Sequence, residues 1–174
     1  RRSSDLLSSE RDRDTLLEHI LLAAKEISNA DGGTLYLLSA AGDVLEYVIV
    51  RTDSINVAYG GTTGKKPPFS VVHLYHPQTQ KPDIRTQVVR AVVNKESINV
   101  KDAYTSKEFD FTRTKKFDLQ YGFRTRSVIT IPMINHRGEA IGCLQLINAK
   151  DPVSGATITF SDEMVEIIAS LASQ

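Results

Sequence analysis

Apolar residues recur at helical spacing near the start of the chain: Leu17, Ile20, Leu21, Ala24 and Ile27 form one stripe, and Glu18, His19, Lys25 and Glu26 fall largely off it. This pattern predicts an amphipathic first helix beginning near Asp12. The preceding stretch, Arg1 to Glu10, is serine-rich and polar apart from Leu6 and Leu7. It reads as a linker or the end of an upstream helix, so residues 1–11 are set apart from a domain over 12–174. Asp31-Gly32-Gly33 tolerates positive φ and is expected to stop the helix. Thr34 to Leu38 and Leu45 to Val50 then read as strands joined in a hairpin across Ser39 to Asp43.

From Arg51 to Pro82 the pattern is lost: Gly60, Gly61, Gly64, Pro67, Pro68, Pro77 and Pro82 punctuate one short apolar segment, Phe69 to Tyr75, which predicts a single strand between long loops. Periodicity returns at Arg85 to Asn94, where Val88, Val89, Val92 and Val93 pair at helical spacing, followed by a short strand from Ser97 to Val100. A valine-rich helix is weak by propensity, so packing must hold it. A polar and aromatic stretch contains a helix from about Thr112 to Gln120, stopped by Gly122. Ile129, Ile131 and Met133 alternate toward one face, and after the turn Asn135-His136-Arg137-Gly138 the run Ala140 to Asn148 returns as its hairpin partner. The last helix starts at Ser161, a capping hydroxyl, with Asp162 and Glu163 at the positive end of the helix dipole and Phe160 and Val165 placed as a hydrophobic staple. Met164, Ile168, Leu171 and Ala172 form its apolar stripe. The element order predicts an α+β fold: an antiparallel sheet with the helices from the two chain ends on one face.

Composition narrows the partners. The chain of 174 residues carries 21 Lys+Arg against 21 Asp+Glu, so no surplus of cations marks it as a nucleic-acid binder. One cysteine, Cys143, excludes an internal disulfide and a multi-cysteine zinc site and, with no secretory leader, points to the cytoplasm. The chain opens on Arg1 rather than methionine and reads as a piece of a longer protein.

Candidate chemistry is sparse. Cys143 sits in an apolar strand, where a packed small hydrophobe is the expected role, and His19, His73, His76 and His136 are scattered rather than set at metal-ligand spacing. No Walker, GxGxxG, HExxH or GxSxG motif is present, so no enzymatic activity is expected. The informative stretch is Phe109 to Lys116, which combines aromatic faces at Phe109 and Phe111, the Asp110 carboxylate, the Thr112 hydroxyl and a helix N-terminus able to receive an anion. These are the parts of a nucleotide-sized pocket. They equally suit a solvated polar helix with its phenylalanines in the core. Arg124 and Arg126 could face phosphate or lie on a solvated strand face, and with Arg113, Lys115 and Lys116 they form a basic group around the candidate pocket.

The run Ile98-Asn99-Val100-Lys101-Asp102-Ala103-Tyr104, then Phe109-Asp110, Gly122-Phe123-Arg124-Thr125-Arg126-Ser127-Val128 and Ile131-Pro132-Met133 through to Leu146-Ile147-Asn148 resembles a GAF domain. It is similar to those of cyclic-nucleotide phosphodiesterases and of bacterial cyclases, HD-type phosphodiesterases and phosphatases. The resemblance implies a six-stranded antiparallel sheet with the terminal helices on one face and a ligand pocket on the other. Carried over, it makes Phe109 a base-stacking or pocket-lining residue, Asp110 a hydrogen-bond acceptor and Thr125 part of the pocket floor; Phe111 and Thr112, from the stretch read above, complete the candidate ligand-binding residues. The phosphodiesterase signature of Asn-Lys followed by Phe and Asp-Glu is altered, since Ala149 separates Asn148 from Lys150 and only Ser161 lies between Phe160 and Asp162. A Lys150 ion pair with Asp162 or Glu163 is expected to brace the last helix. The long insertion from Arg51 to Pro82 resembles bacterial signalling members and is a candidate lid.

The reading implied is a regulatory sensor that binds a small ligand, with cyclic AMP and cyclic GMP as candidates and no cofactor, and that acts on a downstream output domain. Homodimerisation through the terminal helices is expected, and a structural dimerisation module with an empty pocket is the alternative.

Overall fold

The first element, α1 (Arg2–Ser28), runs through residues 2–11 without a break. The structure, a computed structural model, describes residues 2–173, with side chains from Ser9 onward. Arg1 and Gln174, the outer ends of the two predicted segments, lie outside the described residues, as do the side chains of Leu6 and Leu7. The strands are β1 (Ala30–Leu38), β2 (Val44–Thr52), β3 (Val57–Tyr59), β4 (Val72–His73), β5 (Ile98–Val100), β6 (Val128–Ile134), β7 (Ala140–Lys150) and β8 (Thr157–Ile158). The remaining helices are α2 (Gln87–Asn94), α3 (Thr112–Tyr121) and α4 (Asp162–Ala172).

Six strands follow the order β3-β2-β1-β7-β6-β5, all antiparallel, with β4 added to β2 and β8 to β7. Strand alternation divides the sheet into two faces. Leu35, Ile49, Ile129, Ile131, Leu144 and Leu146 point to one face and are closed over by Leu17, Leu21 and Ala24 of α1 and Ile168 of α4. The opposite face carries Tyr36, Leu45 and Cys143 beneath the valines of α2, so burial of Val88, Val89 and Val92 holds this β-branched helix. Ser161 caps α4 by accepting from the Met164 amide at 3.1 Å, and Phe160 and Val165 pack into the core as the predicted staple.

Four local expectations are corrected. Helix α1 is ended by Asn29, at φ 54°, and Gly32 and Gly33 lie inside β1. Their lack of side chains serves close approach: a Cβ on Gly33 would come within 2.8 Å of Leu21, and one on Gly32 within 2.9 Å of the Arg51 carbonyl. Glu18 and Lys25, placed off the apolar stripe by spacing, are both buried. Lys150 pairs with Asp31 at 3.5 Å rather than with Asp162 or Glu163, because the β7 end lies against the α1–β1 junction. The insertion holds β3 as well as the predicted strand, and that strand shrinks to Val72–His73, since only Val44 and Leu45 of β2 are left to pair with it. Among the described residues, no helix is long and apolar enough to cross a membrane.

Candidate functional site

On the sheet face opposite α1 and α4 lies a cavity of about 640 Å³, within the roughly 300–1,000 Å³ range of small-molecule sites. Its floor follows from the period of the strands: Thr34 and Tyr36 on β1, Val50 and Thr52 on β2, and Gln145 and Ile147 on β7 alternate with the core residues behind them. The register places Val50, Thr34 and Gln145 side by side across three strands. Thr52 and Ile147 flank Gly32, where a side chain would collide with both.

Three elements roof the floor: the N-terminal turn of α2, helix α3, and a strap formed by the loop before β4. A row of aromatic rings crosses from floor to roof. Tyr36 and Tyr47 lie 4.7 Å apart, Tyr47 and Phe69 5.2 Å, and Phe69 and Phe117 6.0 Å between centroids. Burial pushes the Tyr36 phenol well above its ordinary pKa, so it stays protonated as a donor. Phe69 belongs to the strap, and Arg113 of α3 holds that strap by donating to the Ser70 carbonyl at 2.9 Å and the Val71 carbonyl at 2.8 Å. The guanidinium is thus engaged with main chain.

The first turn of α2 is open toward the cavity. Thr86 supplies no side-chain cap, its hydroxyl donating instead to Asp83 Oδ2 at 3.0 Å, and Thr86, Gln87 and Val88 all line the space. The first amides of a helix have no intrahelical acceptor, and together with the dipole they favour an anion or a carbonyl group. Gln87 is itself buried; its amide nitrogen donates to the Ile98 carbonyl at 3.3 Å, and its Oε1 has no partner among the described residues.

Of the residues singled out in the sequence, Asp110, Phe111, Thr112 and Thr125 line this cavity. Phe109 does not. It is buried in a cluster with Ala91, Ile98 and Val100, with the Arg90 guanidinium 5.2 Å over its ring, so it presents no stacking face to this cavity. Asp110 accepts from the Thr112 hydroxyl at 2.5 Å and the Thr112 amide at 2.9 Å, and these bonds, the hydroxyl first, hold its carboxyl below the ordinary carboxylate range. It therefore organises the start of α3 as a fixed anion. Thr125 is a buried wall residue whose amide and hydroxyl both donate to Asp118, each at 2.9 Å. Of the basic group, only Arg113 and Lys116 line the cavity; Arg124 stacks on Tyr104 at 4.1 Å and Lys115 lies over the same ring at 5.5 Å. Cys143 is buried within the sheet and burial pushes its thiol well up, which removes the thiolate a nucleophile would need.

The aromatic row, Gln87, Asp118 and the strap contact of Arg113 escaped the sequence reading. Tyr36, Tyr47, Phe69 and Phe117 stand on four separate segments, and only the alternation of Thr34 and Tyr36 with Leu35 and Leu37 in β1 hinted at a second, more polar face.

Comparison with known proteins agrees with this architecture. The family model for the GAF domain matches residues 12–174. The cGMP-specific 3',5'-cyclic phosphodiesterase of Drosophila virilis is 26% identical over 178 residues, covering 92% of this chain and 16% of that protein. The chain thus spans under a fifth of that relative's length. Among solved structures, the GAF domain region of a protein from Geobacter sulfurreducens PCA superposes with TM-score 0.61 at 16% identity, covering 98% of this chain and 94% of the other. The PixJ GAF domain of Thermosynechococcus elongatus, in its blue-light absorbing form, gives TM-score 0.62 at 16% identity, with 96% and 84% covered. At these identities the structures speak to the fold alone.

Proposed function

This chain belongs to the GAF domain family, and from that premise we propose that it is a regulatory sensor domain that takes a cyclic nucleotide into the cavity and controls an attached output domain through its terminal helices. The observation that carries this reading is the pairing of an aromatic row with an uncapped helix N-terminus in one cavity. A planar heterocycle gains from stacking on rings such as Phe69 and Phe117, and a phosphate gains from the free amides of α2. Arg113 and Lys116 add positive potential at the rim, and Gln87 stands in the wall as an acceptor with no donor among the described residues. The similarity to phosphodiesterases whose name specifies cyclic GMP supports the same ligand class. The role is regulatory, exerted in the cytoplasm, and the buried Cys143 supplies no nucleophile for catalysis. A ligand shifts the conformational equilibrium by its differential affinity for two states, so cavity closure and helix position change together.

Calorimetric titration with cyclic AMP and cyclic GMP tests this. At least one is expected to bind with a Kd below about 1 mM, equivalent to roughly −4 kcal/mol. Phe117→Ala is expected to weaken that binding about tenfold, within the roughly 1–3 kcal/mol measured for loss of one base-stacking ring. Absence of heat with both nucleotides would remove the cyclic-nucleotide reading.

A second reading, a dimerisation module, rests on Leu16 and Ile27 of α1 and Ile167 of α4, which are exposed apolar side chains on the two packed terminal helices. Light scattering is then expected to show twice the monomer mass, reduced to the monomer by Leu16→Glu with Ile27→Glu. A monomer throughout the concentration range would count against it.

A further inference from the structure

Helix α1 carries, beside its apolar stripe, a second buried line that is charged. Glu18 is 3% exposed and pairs with Arg51, itself 8% exposed, and one heptad on Lys25 pairs with Asp53. Both partners belong to the end of β2 and the turn after it, which continues into the segment that roofs the cavity. Arg51 also donates to the carbonyls of Val50 at 2.9 Å, Tyr59 at 2.5 Å and Gly60 at 3.2 Å. Glu18 Oε1 accepts from the Thr62 amide at 3.2 Å and its hydroxyl at 2.9 Å. The Gly60 amide closes the loop onto the Lys65 carbonyl at 2.6 Å. Residues 60–65 are thus a knot tied to α1 by Glu18. From that knot the chain passes through Pro67 and Pro68, whose fixed φ makes a short semi-rigid arm, directly to Phe69 in the aromatic row. On its far side the strap is pinned by Arg113.

We propose that this arm and its Glu18–Arg51–Thr62 knot couple occupation of the cavity to α1, so that the N-terminal helix is where the ligand signal leaves the domain. The inference rests on the cavity being the ligand site. A ligand that stacks on Phe69 displaces the arm. The arm then pulls Thr62 from Glu18 or seats it more firmly. Because a buried carboxylate tolerates no half-satisfied position cheaply, the knot passes between discrete engaged and released states rather than deforming smoothly. Among the described residues helix α4 has no such connection: its polar contact outside the helix and cap is Asn99 with Asp162, at 3.4 Å, remote from the strap.

Hydrogen exchange on the full chain tests the coupling without a ligand. Arg113→Ala frees the strap from α3 at a point that does not touch α1. Exchange is expected to rise in residues 60–72 and also in α1 over 17–28, by about fivefold or more relative to β7, the low end of usual coupling energies. Inserting Gly-Gly-Ser between Lys65 and Lys66 slackens the arm while keeping every side chain. In that background Arg113→Ala is expected to leave α1 unchanged. If exchange rises in the strap and α1 stays at its wild-type rate, the proposal is overturned; Arg113→Lys, which loses the paired donation, gives the same comparison should the alanine variant unfold. Cyclic GMP is the ligand probe: it is expected to alter α1 exchange in the wild type, and in the insertion variant to bind with similar heat while α1 no longer responds. An α1 response that survives the slackened arm would equally overturn the coupling. No binding heat with the wild type would instead strike at the cyclic-nucleotide reading and leave the ligand-free comparison to decide the coupling.

Discussion

Arg51→Met is expected to lower the unfolding free energy by about 3–5 kcal/mol, the usual consequence of removing one partner from a buried ion pair. The substitution keeps most of the side-chain volume and takes away the charge. Glu18, 3% exposed, would be left with Thr62 as its remaining donor, and the carbonyls of Tyr59 and Gly60 would each lose one. Domains of ordinary stability hold about 5–15 kcal/mol in total, so urea unfolding would show a large fall in midpoint. Two companions separate charge burial from packing. Lys25→Met removes the other member of the charged line, but it leaves Asp53 with a 57% exposed side chain, so the loss is expected to stay near or below about 1 kcal/mol. Glu18→Leu combined with Arg51→Met removes both charges, and it is expected to recover most of the stability lost by Arg51→Met alone. A similar loss in Arg51→Met and the double variant would show that the packing of Arg51, and not the stranded carboxylate, carries the effect.

How far the fold could be read in advance depended on the range of the interactions that decide each element. The α4 start was legible because a serine cap, two acidic residues and a staple all lie within one turn of chain. The β6–β7 hairpin was legible because strand period and a four-residue turn are equally local. Gly32 and Gly33 were misread because positive φ is the common use of glycine, whereas here Leu21, Arg51 and Thr52, from distant parts of the chain, forbid a side chain. Glu18 falls off the apolar stripe by its spacing, and Arg51 and Thr62, brought up by β2 and the knot, make its burial tolerable. The site was half legible for the same reason. Asp110 and Thr112 form a local turn at the start of α3, and both stand at the cavity. Phe109 shares that local sequence, yet the bend before α3 turns its ring into the core, and the stacking faces come instead from strands and a strap that no spacing rule joins.

Asp118→Ala is expected to cost about 3 kcal/mol and to disorder the cavity wall, although the residue touches no part of the cavity itself. Asp118 is 3% exposed and lies on α3 near its end, with one oxygen accepting from the Thr125 hydroxyl and the other from the Thr125 amide and the Tyr104 hydroxyl, the last at 2.7 Å. Its removal orphans a buried amide, and each such group costs about 1–3 kcal/mol, with bonds to a charged acceptor in the upper part of the range. The same carboxylate fastens α3 to the segment that leads into β6, so Thr125 is released from the wall and α3 loses a tether. Asp118→Asn keeps one carbonyl oxygen for the Thr125 amide and offers its NH2 group to the Thr125 hydroxyl, which can turn to accept, so most of the loss is expected to be restored. A second measurement separates this network from general loosening. The bond to Asp118 is the foremost cause that raises the Tyr104 phenol above its ordinary pKa, while Arg124 over the ring pulls it down. In Asp118→Ala the first influence vanishes and the second remains, so Tyr104, followed by NMR, is expected to ionise at lower pH than in the wild type. A Tyr104 titration that stays in place while stability falls would separate the tyrosine from the wall and confine the role of Asp118 to Thr125.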